Sequence, residues 1–158
     1  MIKEYLIQSA AELSQPGTAS LMEFMEKEDL FLVSINEHFQ KRADLNQLIG
    51  EGNLEMMRNN HHNHLRFMAS LFGNYQPDVL VETVLWVFRA YRSHGFRLAY
   101  WPAQLDTWVV IFKKHLKQQH FSEIYPFYNW MIVNNPLFAK LSDPDILKED
   151  YMPVSKHD

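Results

Sequence analysis

The sequence predicts an all-α fold, a single-domain helical bundle of about six helices. Three observations carry that expectation. Glycine and proline are scarce, five and seven in 158 residues, so long segments run without breakers. Within those segments the apolar residues recur at steps of three and four. Nowhere do they alternate in the period-two pattern of a half-buried strand. The length suits one domain with a real core. Residues 1–140 are expected to form it, and residues 141–158, rich in Asp, Pro and Lys, to make a loosely packed or disordered tail.

A first helix is expected over residues 3–13, stopping before Gln15-Pro16-Gly17. Thr18 and Ser20 are candidate caps for a second, on which Leu21, Phe24 and Met25 share a face. The same pattern runs on through Phe31, Leu32, Ile35 and Phe39, with the acidic run Glu26 to Asp29 as a candidate break. Gly50 and Gly52 loosen the chain. From Asn53 to about Phe72 the stripe is Leu54, Met57, Leu65, Met68 and Phe72, and Gly73 is placed to stop it. Pro77 sits in the favoured first turn of the next helix, which runs to about His94. That helix is apolar nearly all round, so it is expected at the centre of the bundle. Gly95 ends it. Pro102 opens another, with Leu105, Trp108, Val109, Phe112 and Leu116 as its stripe and Lys113, Lys114 and Lys117 on a solvated face. A last helix covers about residues 121–133 and ends at Asn134-Asn135-Pro136.

Composition narrows the function classes. Hydrophobic residues make up 47% and aromatics 14%, with four Trp, seven Tyr and eleven Phe. So many rings predict a pocket wall or a partner-facing surface, and a homodimer through the last two helices around Trp108, Phe127 and Trp130. The formal charge of −4 and the lack of a clustered basic face argue against nucleic acid. No cysteine is present, which excludes disulfides, thiolate metal sites and cysteine catalysis. The first residues lack a basic, apolar and small-residue leader pattern, and no apolar stretch approaches the ~20 residues that span a bilayer. The expectation is a cytoplasmic protein with no membrane contact.

The polar chemistry concentrates at Asn59-Asn60-His61-His62-Asn63-His64. His61 continues the stripe at i+4 from Met57, and His64 lies three residues further on. Both should face the core, with His62 and Asn63 turned away. Two such imidazoles are either core-edge histidines bonded to backbone, Asn59 or Asn60, or they share a ligand, a metal ion or a haem iron. The familiar metal spacings are missing: there is no His-Glu-x-x-His, no Glu-x-x-His and no His-x-x-x-His. Satisfying two imidazoles beside Asn59 and Asn60 is easiest around bound water or a ligand, so a cavity at His61 and His64 is expected. Arg89, Arg92, His94 and Arg97 read either as a cationic last turn opposing the helix dipole or as an anion-binding rim beside Trp86 and Trp101. Glu51, Glu55 and Glu82 stand singly, so no carboxylate pair argues for acid–base catalysis.

The run His64-Leu-Arg-Phe-Met-Ala-Ser-Leu-Phe-Gly73, followed by the helix from Pro77 through Trp86 to Arg92 and Gly95, resembles a known module. It is similar to the helical domain found near cobalamin-binding domains in bacterial regulators, over about residues 61–137. Phe67-Met68 departs from that module's aromatic-Leu pair, and the sequence contains no cobalamin-binding Asp-x-His-x-x-Gly motif. The resemblance implies a sensory or regulatory module rather than an enzyme. The expected function is therefore a non-catalytic bundle that binds a small ligand or protein partner, with His61, His64, Trp86, Arg89 and His94 as ligand-binding candidates. The alternative is a metal- or haem-dependent protein using His61 and His64.

Overall fold

A computed structural model of the chain describes residues 1–144, so all but the first four residues of the expected tail lie outside the described residues. Among the described residues there are eight helices and no strand: α1 (Ile2–Ala10), α2 (Thr18–Glu26), α3 (Glu28–Gln40), α4 (Leu45–Ile49), α5 (Leu54–Gly73), α6 (Pro77–Ser93), α7 (Tyr100–His115) and α8 (Gln118–Leu141). The all-α class holds, and the helix count rises from about six to eight for two local reasons. The acidic run does break the second segment: Lys27 leaves helical geometry at φ −100° and ψ 11°, separating α2 from α3. A single turn, α4, also forms ahead of Gly50, whose φ of 84° only glycine adopts readily.

The expected end of the last helix is corrected. α8 runs through Asn134, Asn135 and Pro136 to Leu141, with Pro126 and Pro136 both inside it. An interior proline deletes one backbone hydrogen bond and crowds the preceding turn. Burial of Phe127, Tyr128, Trp130, Met131 and Phe138 along the same helix offsets that loss.

α8 packs on α1, α2, α6 and α7, and α5 packs on α2 and α3. This corrects the expectation that α6 is central. α6 buries Leu80, Val81, Leu85 and Phe88, while Val79 and Trp86 on its other sides remain exposed. The aromatic surplus goes into the core instead of a dimer surface. Trp108, Phe127 and Trp130, expected around a dimer surface, are all buried within the chain. Trp108 stacks on Phe112 at 5.4 Å, and Phe112 meets Phe24, Phe31 and Tyr128 at centroid distances of 5.4, 4.9 and 5.0 Å. Offset and edge-on ring packing of this kind stabilises beyond simple area burial.

Two glutamates exchange caps between α2 and α8. The Gly17 N–H and the Ser20 hydroxyl, at the start of α2, donate to Glu123 Oε1 at 2.6 and 3.0 Å. The Lys117 N–H, at the start of α8, donates to Glu23 Oε1 at 2.9 Å. Each helix thus satisfies an orphan donor of the other. Glu23 also receives Lys27 Nζ at 2.9 Å and lies 2.8 Å from His120 Nδ1. Burial pushes the Glu23 carboxyl up, but Lys27, the Lys117 N–H and His120 together outweigh it and hold it down at about 2.

Candidate functional site

α5 and α6 pack on different neighbours and not closely on each other. Between them lies a cavity of about 290 Å³, floored by α7 and α8. Its α5 wall follows from helical spacing: Asn60, Asn63, His64, Phe67 and Met68 recur at steps of three and four and share a face. α6 contributes Thr83, Val84, Trp86, Val87 and Tyr91, and α7 contributes Trp101, Gln104 and Leu105. Trp86 stands at the rim, 64% exposed.

The two core-facing histidines have different fates. His61 is fully buried and has a partner at each ring nitrogen: Nδ1 lies 2.7 Å from Asn36 Oδ1, and Nε2 lies 2.7 Å from the Tyr100 hydroxyl. Gln104 Nε2 donates to that hydroxyl at 2.9 Å and to Asn60 Oδ1 at 2.5 Å. One proton arrangement satisfies the whole chain. His61 Nδ1–H donates to Asn36, Tyr100 O–H donates to His61 Nε2, and Gln104 donates to Tyr100 and Asn60. His61 does not border the cavity, so the expectation of a cavity at both rings holds for His64 alone.

His64 is partly buried and lies at the cavity wall. Its ring stacks on Trp108, and its Nε2 is 2.8 Å from the Tyr128 hydroxyl. Both imidazoles are neutral at physiological pH. Burial lowers each to about 3, with proximity to His64 adding to the effect at His61. His62 is exposed, as its helix phase requires, whereas Asn63, expected to turn away with it, lies on the cavity face of α5.

Arg89 and His94 do not border the cavity, although both are on or beside α6. Arg92 Nη1 donates to the Ala139 carbonyl at 2.9 Å and to Ser142 Oγ at 3.1 Å, placing its charge at the carbonyl end of α8. The His94 carbonyl accepts from Asn53 Nδ2 at 2.8 Å. The Arg92 guanidinium thus serves the terminus of α8 rather than a rim beside Trp86 and Trp101. Asn36, Tyr100, Gln104 and Tyr128 escaped the sequence reading. Only Gln104 carried a signal there, as a polar residue one turn before Trp108 on the buried face of its helix.

No protein-family model, curated protein or solved structure matches this chain. The likeness to the cobalamin-associated helical domain rests on the sequence alone. Among the described residues no helix is long and apolar enough to cross a membrane, and no three His, Asp or Glu side chains gather to hold a metal ion.

Proposed function

We propose that the protein is a non-catalytic sensory or regulatory module whose cavity between α5 and α6 binds a small, largely apolar ligand. The observation that carries this reading is the cavity itself: aromatic and aliphatic walls with a few convergent polar groups on one side. Those groups are the amides of Asn60, Asn63 and Gln104 and the neutral imidazole of His64, with the Thr83 hydroxyl on the α6 wall, and they orient a ligand. The carboxylates of Glu23 and Glu123 are engaged as helix caps. A ligand bridging the cavity would tie α6 to α5, which do not pack closely on each other, and that change in helix mobility would be the signal. A metal or haem site shared by His61 and His64 is disfavoured, because Asn36 and Tyr100 occupy both ring nitrogens of His61.

Indole, followed by saturation-transfer NMR, is a suitable first probe. It is expected to bind the wild type, and to lose binding when the cavity is filled by Val84→Trp. Absence of indole contact at millimolar concentration, or equal binding to V84W, would overturn the reading.

A further inference from the structure

The cavity carries more information than its apolar walls, because its polar edge has a definite donor and acceptor order. Tyr128 is wholly buried, and its hydroxyl has one partner among the described residues, His64 Nε2. A buried O–H must donate, so Tyr128 donates and Nε2 accepts. The single proton of the neutral imidazole then sits on Nδ1. Nδ1 has no protein partner among the described residues, yet it is not sealed in protein. It offers an N–H to the cavity.

Asn60 and Gln104 follow the same logic, and they are 4% and 2% exposed. Gln104 uses its amide nitrogen on Asn60 and Tyr100, which leaves its Oε1 as a free acceptor. Asn60 uses its Oδ1 on Gln104, which leaves its Nδ2 as a free donor. Neither free atom is sealed without a partner, and the cavity is the space both residues border. The part of the edge fixed by protein hydrogen bonds therefore presents two donors, from His64 and Asn60, and one acceptor, from Gln104, while the Asn63 amide and the Thr83 hydroxyl border the same cavity without such a bond. No charged side chain borders the cavity among the described residues, so an ionised ligand would leave water with no opposite charge to meet it. Phe67, Trp86, Tyr91 and Trp101 supply ring faces and edges around it, which suit a planar aromatic body.

Resting on the proposed ligand-binding role, we infer that the ligand class is a neutral, planar aromatic amide or cyclic amide. Its carbonyl accepts from His64 and Asn60, and its N–H donates to Gln104. The free donors and acceptor are held by buried bonds before any ligand arrives, so the edge selects by hydrogen-bond complementarity as well as by shape.

Calorimetric titration of the full-length protein with three probes of similar shape tests this: 2-naphthamide, 2-naphthoate and naphthalene. The amide is expected to bind about tenfold or more tightly than either other probe, since each leaves edge groups unpaired or buries a charge. His64→Phe, which keeps a ring against Trp108, is expected to bring the amide down to the level of naphthalene while naphthalene affinity holds. Naphthalene matching the amide in the wild type would overturn the ligand class and leave the cavity reading intact. Tighter binding of naphthoate would overturn the neutral edge. Failure of all three probes to bind would overturn the inference, and indole binding would then decide separately whether the cavity reading survives.

Discussion

His64 and Trp108 stack with ring centroids 5.1 Å apart and planes 14° from parallel, while the Tyr128 hydroxyl stands 2.8 Å from His64 Nε2. The imidazole is held by one face and one edge, leaving Nδ1 as the nitrogen without a protein partner among the described residues. His61, one turn earlier, has no nitrogen left to offer. Two histidines that look equivalent in sequence therefore divide into a structural residue and a site residue.

That division predicts different costs for the same substitution. His61→Leu removes the partner of the half-buried Asn36 Oδ1 and leaves the buried Tyr100 O–H without its acceptor, and is expected to cost about 2–4 kcal/mol. His64→Leu strands only the Tyr128 hydroxyl and should cost about 1–2 kcal/mol. Urea unfolding of the two single variants measures the difference, and equal costs would contradict the separate roles.

Acid stability should fall in two stages. Burial holds both imidazoles at about 3 in the fold, against 6.5 for a free histidine. Between those values the unfolded chain binds more protons than the folded one, so stability is full above pH 6.5 and declines as pH falls toward 3. Glu23, held at about 2 against 4.5, has the same sign in a lower window: its contribution is present above pH 4.5 and lost as pH falls toward 2. Urea midpoints at pH 7.5, 5.5 and 3.5 should decrease in order. Glu23→Gln should flatten the lower stage and leave the upper one. A midpoint that does not change between pH 7.5 and 5.5 would show that the buried imidazoles are not held neutral.

Pro136 lies well inside α8, where a backbone N–H would otherwise close a helical turn. Pro136→Ala is expected to raise stability by about 1–3 kcal/mol, visible as a higher melting temperature. A lower melting temperature would mean that the proline ring makes contacts worth more than the restored hydrogen bond.

Much of the fold was legible because periodicity at steps of three and four reports a buried stripe wherever that stripe is continuous. α5 and α6 fall within two residues of their expected bounds for that reason. α8 was cut short because Asn134-Asn135-Pro136 reads locally as a stop, and only tertiary burial of residues such as Phe138 carries the helix past it. α6 looked central because composition does not distinguish a face against the core from a face lining a cavity. Of the site, the helix phase turned His64 toward the cavity, and Trp86, named for its ring alone, stands at the cavity rim. Helix phase could not reveal that Asn36 and Tyr100, 25 and 39 residues from His61 in the chain, would close that ring into the core. Hydrogen bonds over such separations leave no local pattern.

The most direct measurement is a long-range ¹H–¹⁵N spectrum of the imidazoles with and without saturating 2-naphthamide. His64 is expected to show a protonated Nδ1 in the free protein and a shifted Nδ1 signal on binding, while both nitrogens of His61 stay in place. An amide that binds while the His64 signals remain unmoved, or a free protein with its His64 proton on Nε2, would contradict the placement of His64 Nδ1–H at the ligand edge.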